Sequence, residues 1–222
     1  MTHLTISETI KKQFPTFKIG VISYHNIIID SSPKMLRGRL NLFQEHLIME
    51  LSEKNISDSN SISEWRKIFK QLGTDPAKYR LSSEALLRRI QKGNKLPFIH
   101  SAVDLTNFFS LQYQLPLGIY DLNQLKGNLH LKIGTEEDQY EGLNGRTVNM
   151  KNKLITSDDK GAFGSPIVDS RRTMVTESTE NALHIVYLQP SMENSKAEKL
   201  VAAIANMFVQ LHGGSTDYKI IC

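Results

Sequence analysis

Cysteine is almost absent from this chain. One thiol, Cys222, occurs in 222 residues. No intramolecular disulfide can form, so the fold must be held by its core. Long apolar runs are also absent, and none reaches the length of a membrane span. The first residues, "MTHLTISETIKKQFPTF", carry no basic start followed by an apolar core, so a secretory leader is not expected. These absences fit a cytoplasmic location with no membrane partner. Catalytic signatures are missing too. There is no phosphate-binding loop, no dinucleotide fingerprint and no Gly-x-Ser-x-Gly elbow. The seven histidines are scattered, with no helical pair and no thiol partners, so neither a metal nor a cofactor is expected.

What is present suffices for one core. The chain is long enough to bury an interior without staples, and its charged fraction of 23% is ordinary for a globular domain. The net charge is only +4, but it is uneven. Between Ile62 and Lys95, nine basic residues stand against Glu64, Asp75 and Glu84. Such an excess attracts polyanions, although a solvated helical face has the same composition.

Periodicity gives the elements. "FKIGVISYHNIIID" (17–30) reads as one or two strands. Leu40, Phe43, Leu47 and Leu51 repeat at helical spacing within 39–54. Ser61 and Glu64 form a capping box before Trp65, Ile68, Phe69 and Leu72, a helix stopped by Gly73. "SSEALLRRIQKG" has a serine cap, an acidic first turn, a basic last turn and Gly93 at its end. A third helix covers 102–113. From Asn128 the period changes to that of strands: "NLHLKIG", a hairpin at Asn144-Gly145, "KLITSDDKGAFG", two runs in "TMVTESTENALHIVYLQP" and a last strand in "YKIIC". "SKAEKLVAAIANMFVQLHGG" is a helix closed by two glycines. Strand, grouped helices, strands, helix: this order predicts a single mixed α+β domain over 1–222.

The stretch "VDLTNFFSLQYQLPLGIYDL" (103–122) places Asp104, Thr106 and Asn107 inside its most apolar part. Buried polar groups need partners. Asp104 and Asp121 are suited to capping helix starts. Asn107, amid Phe108, Phe109 and Leu111, must face a network or a cavity. Tyr120 is expected in the core with its hydroxyl at an edge, and Gly118 marks a backbone requirement.

Val103-Asp104-x-Thr106-Asn107, then Pro116-Leu117, then Tyr120-Asp121, resembles the editing region of the phenylalanyl-tRNA synthetase beta subunit, the B3/B4 domain. "YEGLNG", "LITSDDKGAFG" and "VTESTENALHIV" follow in that family's order, and the likeness is strongest over 79–186. The resemblance implies a B3/B4-type fold and a pocket that hydrolyses a mischarged aminoacyl ester. Such an ester is already activated, so orientation and electrostatics can replace a covalent nucleophile. By the resemblance, substrate-binding residues are Thr106, Asn107, Pro116, Gly118, Tyr120, Gly164, Ser165 and Glu177. Asn107 would offer a donor and an acceptor to the substrate. The partner would be tRNA or aminoacyl-tRNA, held by Lys78, Arg80, Arg88, Arg89, Lys92 and Lys95, or else a free amino acid; DNA is not expected. Arg88 and Arg89 are adjacent and cannot share one helix face. The chain departs from the family at Gly118, where the synthetases carry histidine, and near His184 or Ile185, where the glutamate that reads the tyrosine hydroxyl would fall and no acid stands. The alternative is therefore a non-catalytic module for RNA or an amino acid that has lost editing. No ATP-using module is present, so the chain is not an aminoacylating enzyme by itself.

Overall fold

The structure, a computed structural model, describes residues 3–222; the first two residues of the expected domain lie outside it. Along the chain run β1 (Leu4–Ile6), α1 (Glu8–Gln13), β2 (Ile19–His25), α2 (Lys34–Leu51), α3 (Asn60–Gln71), α4 (Ser82–Gln91), α5 (Ser101–Tyr113), β3 (Leu117–Asp121), β4 (Leu129–Ile133) and β5 (Gln139–Glu141). They are followed by β6 (Thr147–Asn149), β7 (Leu154–Asp158), β8 (Gly161–Gly164), β9 (Ala182–Tyr187), α6 (Asn194–His212) and β10 (Ser215–Ile221). This is the mixed α+β arrangement with grouped helices that the pattern predicts.

Two four-stranded sheets organise it, with orders β10-β2-β9-β3 and β1-β4-β7-β8; β5 and β6 form a separate hairpin. Strand alternation explains how the sheets are covered. On β9, Leu183, Ile185 and Tyr187 enter one core, shared with the β4-β7-β8 strands, α3 and α4. Ala182 and Val186 enter a second core, against α5 and α6. The β2-β9 pair is therefore buried on both faces, which is why its sequence reads as a near-continuous apolar run. β3 is an edge strand of the first sheet, and its open edge becomes important below.

Several boundaries differ from the sequence reading for identifiable reasons. Helix α2 starts at Lys34, earlier than its apolar repeat, because Pro33 supplies the capping carbonyl for Arg37 N–H at 3.0 Å. The capping box does not form. Ser61 donates to the Gln114 carbonyl at 2.8 Å, while Glu64 accepts from the Ser191 N–H and hydroxyl. Tertiary partners have taken both side chains. The serines of α4 lie inside its first turn, with Leu81 at the cap; Ser82 N–H is instead satisfied by the Pro166 carbonyl at 2.8 Å. The run around 174–179 is not a strand, and only Met174 makes a bridge, to Tyr120. The short β1 and α1 carry too few residues for a periodic signal. The hairpin at Asn144-Gly145, the 154–158 strand and the glycine-ended last helix form where the pattern places them, whereas the 117–121 strand lies before the point at which the pattern changes to that of strands.

The basic segment hides one acid. Glu84 is wholly buried on α4. Both its oxygens accept from Arg66 Nη1, at 2.9 and 3.0 Å, and Oε1 also accepts from Arg88 Nε at 2.8 Å. Removing it strands two guanidiniums. Glu84→Ala is expected to lower the unfolding free energy by about 3 kcal/mol, read by urea denaturation; an unchanged midpoint contradicts this role.

Candidate functional site

The site starts from helix α5. Val103, Thr106, Asn107 and Ser110 recur at helical spacing and share one face. All four line a cavity of about 520 Å³. Helix α4 contributes Ser82, Ala85 and Leu86 by the same periodicity. The floor is the open edge of β3, through Leu117 and Ile119, and the far wall is the 165–169 loop that follows β8. The bond from Ser82 N–H to Pro166 clamps that loop against α4. Ile99, Leu143 and Met174 also line the cavity and are strongly exposed, which marks its mouth. A second cavity of about 510 Å³, beside β5 and β8, is lined mainly by charged and polar residues such as Glu137, Glu141 and Arg171. The first has the character of a small-molecule site: apolar walls with a few polar groups.

Those polar groups divide sharply. The Thr106 hydroxyl donates to the Ala102 carbonyl at 2.7 Å and lies 3.1 Å from His184 Nε2. With its proton committed, Thr106 accepts from the imidazole, and His184 Nδ1 then accepts from the Tyr24 hydroxyl at 3.2 Å. Burial drives the His184 pKa down to about 3, so the ring is neutral. Asp104 accepts from Ile99 N–H at 2.9 Å and from the Ser32 hydroxyl at 2.6 Å. It secures the approach to α5, while the cap itself is His100, whose Nδ1 accepts from Val103 N–H. Asp121 caps the short turn after β3 by accepting from Asn123 N–H. Asn107 is different: its amide makes no hydrogen bond to the described residues and faces the cavity. The buried Ser82 hydroxyl, on the opposite wall, also has no partner.

Behind the floor stands Tyr120, wholly buried. Its ring crosses two positions without side chains. A Cβ on Gly118 would sit 2.0 Å from the Tyr120 hydroxyl, and one on Gly164 would sit 2.2 Å from it. Gly118 is therefore required, as the sequence suggests, but for packing rather than for a turn. The phenol occupies the space that a side chain at 118 would need. It donates to Asp169 Oδ1 at 2.6 Å, and Asp169 lines the cavity.

Asp169 was not legible as a site residue. Its neighbours are neutral: the Tyr120 hydroxyl and the Ser165 N–H favour its charged form, yet burial outweighs both and lifts its pKa to about 7. Ser165 is not a free nucleophile. Its hydroxyl donates to the Val168 carbonyl at 2.9 Å and accepts from Ile167 and Val168 N–H, which builds the loop carrying Asp169.

The residues named from sequence thus separate. Thr106, Asn107 and Ser165 line the cavity, and Gly118, Tyr120 and Gly164 form the wall behind it. Pro116 is buried in the sheet, where its carbonyl accepts from Tyr187 N–H, and Glu177 is exposed in a turn; neither lines the cavity. Among the basic residues, Arg88 is committed to Glu84 and Ser57, and Lys95 pairs with Glu45 at 2.6 Å. Lys78 sits 5.4 Å from the Tyr79 ring. Arg80, Arg89 and Lys92 are exposed. Arg89 follows Ser82, Ala85 and Leu86 on the cavity face of α4, one turn toward its end. Sequence reasoning missed Asp169, His100 and Ser82. The one available signal was the lone acid in "SPIVDS", directly after the glycine loop.

Two predictions follow from this geometry. Gly118→Ala pushes a methyl into the Tyr120 phenol and is expected to cost about 1–3 kcal/mol, read by urea unfolding; a neutral effect contradicts the packing. For Asp169 the folded pKa lies above the ordinary value of 3.8. Its contribution to stability is complete below that value and is lost as pH rises toward 7. Asp169→Asn, neutral at every pH, is expected to melt higher than the parent at pH 8 and to lose that advantage progressively as pH falls from 7 toward 4. A variant that melts lower at pH 8 sinks this assignment.

Residues 64–207, more than half of the chain, match the family model of the B3/4 domain. An uncharacterized protein of Bacillus subtilis (strain 168), YhzB, is 33% identical over 213 residues, which is 96% of each chain. The phenylalanine–tRNA ligase beta subunit of Bartonella henselae is 32% identical over 87 residues, 38% of this chain but 11% of that subunit. That of Neisseria meningitidis serogroup A is 28% identical over 100 residues, 44% of this chain and 13% of the subunit. An N-terminal fragment of the phenylalanyl-tRNA synthetase beta subunit from Pyrococcus horikoshii superimposes with a TM-score of 0.47 at 13% identity, over 97% of this chain and 50% of the fragment. This chain thus spans a small part of the synthetase subunits and nearly the whole of its Bacillus relative, and it belongs to the B3/4 domain family.

Proposed function

We propose that this protein binds the aminoacyl end of tRNA in its α5 cavity and hydrolyses a mischarged aminoacyl ester. The observation that carries the reading is an apolar cavity whose one uncommitted amide, Asn107, stands in the same chamber as the Asp169 carboxyl. The apolar lining suits an amino-acid side chain. Asn107 suits the ester carbonyl or a neighbouring hydroxyl, since its amide donates and accepts. Water for hydrolysis would be oriented by the 165–169 loop. Arg89, Lys92, Arg80 and Lys78 would meet the phosphates, with Arg89 nearest in its placement on α4. Membership of a family that includes synthetase beta subunits supports a tRNA partner.

A second reading is favoured by a specific observation. The hydroxyls and imidazole best placed for chemistry, Thr106, Ser165 and His100, are already engaged by backbone partners. On that basis the cavity would hold an aminoacyl group or a free amino acid without turnover.

Incubation with purified mischarged tRNAs separates the two. The expected outcome is release of at least one amino acid faster than in buffer. Asn107→Ala is expected to lower kcat/KM by about 10- to 100-fold, the worth of one buried hydrogen bond to substrate. Salt-sensitive tRNA binding with no release on any tRNA supports the binding module instead. Absence of both binding and release removes the tRNA reading.

A further inference from the structure

Asp169 poses a physical problem that the fold does not solve. It is the one acid lining the α5 cavity. Its partners, the Tyr120 hydroxyl and the Ser165 N–H, are neutral. Among the described residues, no lysine, arginine or histidine makes an ion pair with it. Asp104 and Asp121 also have only neutral partners, but neither lines this cavity, and two other buried carboxylates are paired with arginine. Glu84 holds two arginines, and Asp158 holds Arg172 at 2.8 and 3.0 Å. A carboxyl half withdrawn from water without a cation is costly, and two glycines and a buried phenol are committed to holding this one in place.

We infer that Asp169 is the anchor for a primary ammonium group, and that the cavity selects apolar, amino-acid-sized esters whose α-amino group is free. The inference rests on the reading of the cavity as an aminoacyl site and narrows its substrate class: N-blocked esters, such as N-acyl or peptidyl forms, are rejected. The geometry supplies three separate contacts. The ammonium meets Asp169, the ester meets Asn107 across the chamber, and the side chain meets Ala85, Leu86, Val103 and Ile119. An N-acylated ligand places a neutral, bulkier amide against the carboxyl. It gains no charge pair and leaves Asp169 uncompensated.

A proton balance follows. The titratable groups that face Asp169 are the phenols of Tyr120, Tyr140 and Tyr187, all pushed upward by burial. His100 is the other titratable group in the lining. Near neutral pH a share of Asp169 is protonated. Docking of an amine that is already ammonium drives that proton from the Asp169 carboxyl to solvent, whereas a neutral amine takes up the proton itself and leaves no net release.

The test is calorimetric titration of the full chain at pH 6, where the ester amine is ammonium, with methyl esters of L-leucine, L-methionine, L-phenylalanine and L-tyrosine, each beside its N-acetyl counterpart. At least one free-amine ester is expected to bind ten or more times tighter than its N-acetyl form. Asp169→Asn is expected to bring that ratio close to one. Repeating the titration in buffers of different ionisation enthalpy is expected to show net proton release with the parent protein; this measurement stands even where the variant fails to fold. Equal binding of blocked and free esters, no ester binding at all, or amine binding without proton release overturns the inference. Deacylation assays keep the two readings apart. Cleavage of N-acetylaminoacyl-tRNA as fast as aminoacyl-tRNA overturns the amine anchor and leaves the esterase reading intact. Amine-selective ester binding with no tRNA cleavage does the reverse.

Discussion

The hydrogen bond from the Tyr120 phenol to Asp169 is the joint on which the site depends. Tyr120 lies on β3, the edge of one sheet, and Asp169 follows β8, the edge of the other. The phenol reaches between them because Gly118 and Gly164 present no side chains. The Ser82 contact to Pro166 holds the same loop from a further direction, and the Met174 bridge to Tyr120 ties down the segment that follows it. The outcome is a loop fixed at short range against α4, α5 and β3, with a cavity left in between. A cavity with this much rigid support keeps its shape without a ligand, which lowers the ordering cost of binding one.

Burial and charge act against each other in this cavity. The apolar walls that suit an amino-acid side chain also raise the cost of ionising Asp169. Glu84 and Asp158 each hold arginine, and Asp104 and Asp121 are satisfied by hydroxyls and backbone N–H groups away from this cavity; among the described residues, Asp169 is the acid that faces it without a cation. A group that weakens the empty fold while standing in a cavity is the signature of a site kept for binding rather than for stability. The basic segment shows the complementary economy. Arg66 and Arg88 are turned inward to satisfy Glu84, which leaves Arg89 and its exposed neighbours for any polyanion.

Much of this was legible in the sequence. The order of helices and strands, the α5 helix, the Asn144-Gly145 hairpin and the two-glycine end of α6 follow from periodicity and turn chemistry. Asn107 stood out as an amide with no local reason to be buried. The structure sharpened that stretch: Thr106 belongs to a His184–Tyr24 network, Asp104 secures the entry to α5, and Asn107 alone stays uncommitted. Other features were not legible because they depend on contacts far apart in sequence. The capping box at Ser61 and Glu64 lost to Gln114 and Ser191. The reason for Gly118 lies in the tilt of a ring two residues away toward a carboxyl 49 residues further on. Asp169 itself is one acid among 23 Asp and Glu residues, and nothing local marks it as lacking a cation.

The central claim is that Asp169 is a carboxyl without a counter-charge in an apolar cavity. Its titration in the free protein, followed by carbon-detected NMR of the side-chain carboxyl, tests this most directly. The account predicts a midpoint near 7, in line with the upward push of burial. A midpoint near the ordinary aspartate value of about 4 contradicts it, because a carboxyl at ease with water needs no ligand to compensate it.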